Sequence, residues 1–191
     1  MQQVLAERLI SRRSLVVDTS LILLGSLFVA AMAQLSIPLP FTPVPITGQT
    51  FAVLLVGMVF GSRRGALALA AYLAEGAAGL PVFAEAKSGV ATLLGPTGGY
   101  LVGFIATAWL VGFLAERGFD HNFFKTLAAM VAGNAVIYIL GAAWLMRFVG
   151  GLQATLAAGV YPFLIGDAIK AILAALMLPG AWKLVNMGKG R

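Results

Sequence analysis

Six long apolar segments follow one another along this 191-residue chain, and most charges stand between them or near their ends, with Glu75, Asp167 and Lys170 inside them. A bilayer core needs about 20 apolar residues per crossing helix. A helix is also the form in which one segment satisfies its own backbone hydrogen bonds in lipid. Six such helices use about 120 residues and leave about 70 for loops and ends, so seven spans are tight and four leave apolar segments without a place. The segments fall at about 15–37, 48–62, 64–80, 100–116, 123–148 and 162–184, after a short polar stretch, 1–14. The fold class read from this pattern is an all-α integral membrane protein, one membrane domain of six transmembrane helices. Asp18, Thr19 and Ser20 are short polar residues at the start of the first span, suited to capping it. Two connections resist helix. One is 38–47, with prolines at 38, 40, 43 and 45; the other is the long loop 81–99.

Composition closes off the alternatives. Hydrophobic residues make up 60% of the chain and charged ones 10%, against about 25% charged in a soluble domain. Glycine, at 23 positions, suits closely packed membrane helices. Cysteine is absent and His121 is the one histidine, which excludes thiolate chemistry and multi-histidine metal sites. The polar start, MQQVLAERLISRRS, runs into a full span and does not read as a cleavable signal peptide. The net charge of +6 comes from basic residues at segment ends, which sets topology rather than nucleic-acid binding. With the N-terminus in the cytoplasm, Arg8, Arg12, Arg13, Arg63, Arg64, Arg117, Lys125, Lys183, Lys189 and Arg191 all face inward. Only Lys87 and Arg147 then face outward, and Lys170 lies within a span. Both termini are expected in the cytoplasm, and both long loops on the external side.

Polar residues inside the spans are the candidate site. Asp167 and Lys170, at i and i+3 in G-D-A-I-K, share one helix face. Each charge alone costs a few kcal/mol near the bilayer centre. The pair is therefore either an interhelical ion pair that fixes packing or a polar ligand site, with Asp167 accepting N–H donors and Lys170 donating. Glu75 lies 11 residues past Arg64, roughly 16 Å deep, as a pocket residue or a partner to another interior polar group. Gln34, Gln49 and Asn134 read as interhelical contacts, Gln49 standing out because it opens a span right after the proline loop. Tyr138, Trp109, Trp144 and Trp182 suit interfacial anchors. The run G-P-T-G-G-Y, ending at Tyr100, is either a plain helix entry or a place where backbone approaches a ligand. The small residues Gly25, Ser26, Ala30 and Ala33 on the first span serve either a partner helix or packing within the subunit.

P-V-P-I-T-G-Q at 43–49, G-L-P-V-F at 79–83, L-L-G-P-T-G-G-Y-L at 93–101 and G-D-A-I-K at 166–170 appear in that order on the six spans. Together, over about residues 15 to 185, they resemble BioY, the biotin-specific substrate-binding (S) component of energy-coupling-factor (ECF) transporters. The resemblance implies an S-component fold in the cell's inner (plasma) membrane that captures biotin near the external face. It implies no catalysis and no cofactor, biotin being the transported ligand. The partners it implies are a transmembrane coupling protein and a pair of ABC-type ATPases, although some members occur without a dedicated coupling module. Asp167 and Lys170 match the family's acidic and basic pocket positions on the last helix. In the loop after the third span the family often has a glycine-rich stretch; this chain reads A-E-A-K-S-G, and Lys87 offers a second cation. Some members carry arginine after the G-G-Y, where this chain has Leu101. Asp167, Lys170, Lys87, Gln49, Tyr100 and Glu75 form the candidate binding set. The chain has no Walker motif, so any use of ATP falls to a partner. Loop 81–99 or loop 38–47 is expected to act as a lid. The competing readings are an S component for another vitamin and a small multi-pass enzyme acting on lipid. The enzyme would need an acidic metal cluster or an activated nucleophile, and seven scattered acidic residues do not suit one.

Overall fold

A computed structural model describes residues 2–10 and 14–188. Arg12, Arg13, Lys189 and Arg191 of the topology argument lie outside the described residues. The first long helix, α2 (Leu15–Gln34), is capped not by Asp18, Thr19 or Ser20 but by Ser14, whose Oγ accepts from the Val17 N–H at 3.2 Å. Asp18 instead pairs with Arg64, Nε to Oδ1 at 2.8 Å. Ahead of it, α1 (Leu5–Leu9) is a short helix with Val4, Leu5 and Ala6 buried, so the polar-looking start carries an apolar edge into the bundle.

After Gln34 the chain leaves the helix. Strand β1 (Ser36–Ile37) pairs antiparallel with β2 (Ile46–Thr47), Ser36 opposite Thr47. The prolines occupy the connection between the two strands and keep it from being helical. The element that follows, α3 (Gln49–Ala77), is broken at Gly61, where φ is 85°. A side chain on Gly65 would come within 2.9 Å of the Gly57 Cα. Residues eight apart along one straight helix would be about 12 Å apart. The two arms of α3 therefore fold back on each other, with glycine at the contact.

Helix α4 (Val90–Leu94) is a short piece inside the long loop. Helix α5 (Gly98–Ala115) packs against α3 and against α6 (Phe123–Val149). The mixed segment after α6 forms α7 (Leu152–Gly159), and α8 (Leu164–Gly188) closes the bundle. Among the described residues, five stretches are long and apolar enough to cross a membrane, a count that takes both arms of α3 as one and joins α7 to α8. One core cluster surrounds Tyr72, Phe83, Tyr100 and Phe104. The other surrounds Leu54, Met58, Val111 and Met130, where Val4 of the N-terminal segment joins it.

Two sequence readings are resolved here. Gly25, Ser26, Ala30 and Ala33 are buried against the chain's own α3, where a side chain on Gly25 would meet Ala68 at 2.9 Å. They pack the subunit and are not an open face for a partner. Trp182 is no interfacial anchor: it is buried, and its indole N–H donates to Asp120 at 2.6 Å. Trp144 donates to the Gly95 carbonyl at 2.9 Å, while Trp109 is exposed and stacked on Phe113.

Candidate functional site

The strand-hairpin end of the bundle holds a cleft of about 710 Å³, open solvent at its mouth included. Its walls come from the hairpin, the start of α3, the turn at 83–87, the start of α5, mid-α6 and the start of α8. Asp167 and Lys170 are brought together there, Nζ to Oδ1 at 2.9 Å, with Asp167 only 4% exposed.

The carboxylate is held from three sides. Tyr138 on α6 donates its hydroxyl to Oδ2 at 2.5 Å, and Thr50 on α3 donates to Oδ1 at 2.8 Å. The third donor is Lys170, which also donates to the Thr47 carbonyl at 2.8 Å and to Thr50 Oγ1 at 2.9 Å. A lysine ammonium has three protons, so Lys170 has none left over. Asp167 Oδ2 accepts one bond and keeps room for another donor. An ion pair this well bonded is the arrangement that a buried charge requires to persist. It also leaves acceptor capacity on a carboxylate that lines the cleft.

The remaining candidates take distinct places. Gln49, buried at the start of α3, donates to the Tyr72 hydroxyl at 2.7 Å, which in turn donates to the Val82 carbonyl at 3.1 Å. It lines the cleft but also ties the loop to the bundle. Tyr100 lines the cleft while its hydroxyl is committed to the Gly159 carbonyl at 2.7 Å, so its ring is what it offers a ligand. Lys87 lines the cleft from the 83–87 turn, its side chain half exposed and paired with Glu85. Glu75 is not in the lining. Its Oε2 accepts from Ser26 Oγ at 2.5 Å, the interior partner role. The apolar wall is built from Phe104, Phe163, Ile137, Leu101 and Phe83.

Sequence reasoning missed Thr50 and Tyr138 as parts of the site. Thr50 adjoins Gln49 at the opening of a span, a signal that was present. Tyr138 had only its isolation in an apolar segment, which an interfacial tyrosine shares. Together these groups make a greasy cleft with a well-held carboxylate and one unsaturated cation. Such a site suits a small molecule with N–H donors, an apolar body and an anionic group.

The BioY family model matches residues 4–187. The chain belongs to the BioY family. Among BioY relatives, "Biotin transporter BioY" of Thermotoga maritima is 45% identical over 141 residues, 74% of this chain and 82% of that protein. The protein of the same description from Rhizobium etli is 41% identical over 170 residues, 82% of this chain and 89% of its own. A solved structure, the S-component for biotin from an ECF-type ABC transporter, superposes with a TM-score of 0.79 at 30% identity, covering 88% of this chain and 92% of that one. The BioY resemblance read from four short motifs thus extends over nearly the whole fold.

Proposed function

We propose that this chain is a biotin-binding S component, a membrane subunit that captures biotin and passes it inward with an ECF energy-coupling module. The observation that carries the reading is Asp167, buried at the cleft and held by Tyr138, Thr50 and Lys170 with acceptor capacity left on its Oδ2. The ureido ring of biotin presents two N–H donors and a carbonyl, its bicycle and chain are apolar, and its carboxylate is anionic at pH 7. In this reading the ureido N–H groups meet Asp167, the bicycle and chain lie on the Phe104 and Phe163 wall, and the carboxylate meets Lys87. The relatives' descriptions and the biotin S-component likeness support the same assignment.

Counting the two arms of α3 separately gives six spans, with both termini on the cytoplasmic side and the cleft facing outward in the plasma membrane. Arg63, Arg64, Arg117 and Lys125, all at the end opposite the cleft, support that orientation. The coupling protein and ATPases meet the cytoplasmic half, and the chain itself performs no catalytic step. Mass spectrometry of denatured protein, purified without added vitamin, tests the reading. Near-stoichiometric biotin is expected. A different vitamin, or a protein that comes out empty and does not take up added biotin, contradicts it.

A further inference from the structure

The turn that carries Lys87 is held in a shape its own residues disfavour. Glu85 (φ 60°, ψ 31°) and Ala86 (φ 55°) are the non-glycine residues with positive φ among the described residues. For a residue with a Cβ this region is roughly five- to thirtyfold less populated than right-handed backbone. Glycine enters it freely. Two backbone bonds close the turn, Phe83 N–H to the Lys87 carbonyl at 3.1 Å and Lys87 N–H to the Ala84 carbonyl at 3.2 Å. Upstream, Phe83 is buried edge-on against Tyr72, with ring centroids 5.5 Å apart. The turn is also braced from α2. Gln34 Nε2 donates to the Phe83 carbonyl at 3.1 Å, and Gln34 Oε1 accepts from the Ala86 N–H at 3.1 Å. One amide side chain thus bridges Phe83 and Ala86 across Ala84 and Glu85, and an amide is the group that can both donate and accept at that span.

We propose that Gln34, which lies outside the cleft lining, is a positioning residue for the ligand's anionic end. It holds the turn at 83–87 so that Lys87, the cation whose protons are not all taken, meets a carboxylate in the cleft. This rests on the biotin reading. Backbone strain of this kind persists only where surrounding structure over-determines it, and Gln34 supplies that constraint.

The test uses the full chain in lipid nanodiscs, with Gln34→Leu, Ala86→Gly and the double variant. Lys87 is the sole basic residue between Arg64 and Arg117, so tryptic cleavage at Lys87–Ser88 gives an unambiguous product. Losing the Gln34 amide bonds to the turn should speed that cleavage about tenfold in Gln34→Leu. Ala86→Gly in the same background should recover about fivefold of it, because glycine removes the backbone penalty. In parallel, Gln34→Leu should weaken biotin binding about tenfold but biotin methyl ester, which lacks the charge, less than twofold. Unchanged cleavage, or equal losses for acid and ester, overturns the proposal. If the wild-type protein binds neither ligand, the biotin reading falls, and the cleavage rates alone decide whether Gln34 braces the turn.

Discussion

Asp167 accepts from Tyr138, Thr50 and Lys170, and the three donors come from three different places in the fold. The lysine was legible in the sequence, because spacing i, i+3 on a helix forces the two side chains onto one face. The tyrosine was not, because azimuth around α6 depends on how the bundle packs and no short-range pattern encodes it. Glu75 shows the same limit: residue spacing gave its depth but not its direction, and it turns to Ser26 rather than to the cleft. Tyr138→Phe tests the bracing role directly. It removes a hydrogen bond to a charged group, worth about 1.5–3 kcal/mol, and frees the carboxylate to rotate. Biotin affinity, by titration calorimetry, is expected to fall about tenfold or more while the protein stays folded. Unchanged affinity would mean that Asp167 is set without Tyr138.

At the scale of elements, the far end of α8 carries a second tie. Asp120, in the turn between α5 and α6, is fully buried, and its Oδ2 accepts the Trp182 N–H. Its Oδ1 has no hydrogen-bond partner among the described residues, and His121, stacked on Trp182, stands 3.6 Å from it. Burial pushes the Asp120 carboxyl above the ordinary carboxylate range, opposed in part by the Trp182 hydrogen bond and by His121. The folded chain therefore holds this proton more tightly than the unfolded chain does. The stability it contributes is full below about pH 4 and is lost as pH rises through the raised value. Asp120→Asn, which carries no charge at any pH, is expected to melt at or above the wild-type temperature at pH 8, with that advantage shrinking toward pH 4.5. An equal drop in melting temperature at both pH values would contradict this. The sequence marked the turn but not the tie, since Trp182 reads as an interfacial anchor until α8 is packed. The hairpin in α3 was more legible: two apolar segments with almost no residues between them require a tight reversal, and Gly61 beside Arg63 and Arg64 stands there. The strands β1 and β2 were hidden, because two residues each carry no alternation to read.

At the scale of the molecule, α8 links the two ends. Asp167 and Trp182 are fifteen residues apart, roughly 22 Å along the helix. The helix that presents the carboxylate to the cleft is anchored at its opposite end by the Asp120 tie. The overall class and the non-helical connection at 38–47 followed from hydropathy and proline placement, which act locally; the stretch 81–99, read as a second non-helical connection, instead contains α4 and the first residues of α5. The small-residue stripe on α2 did not, because a stripe suits an inner or an outer neighbour equally and only the assembled bundle chooses. The proposed function makes the Asp167–Lys170 pair a ligand site and not merely a packing device. The double variant Asp167→Asn with Lys170→Met separates the two, since it leaves no uncompensated charge. Biotin titration of this purified variant, run beside its melting temperature, is the direct measurement. If the pair binds ligand, melting stays near wild type while affinity falls about 10- to 150-fold, the loss expected for a charge-assisted contact of about 1.5–3 kcal/mol. Near-wild-type affinity would remove Asp167 and Lys170 from the site.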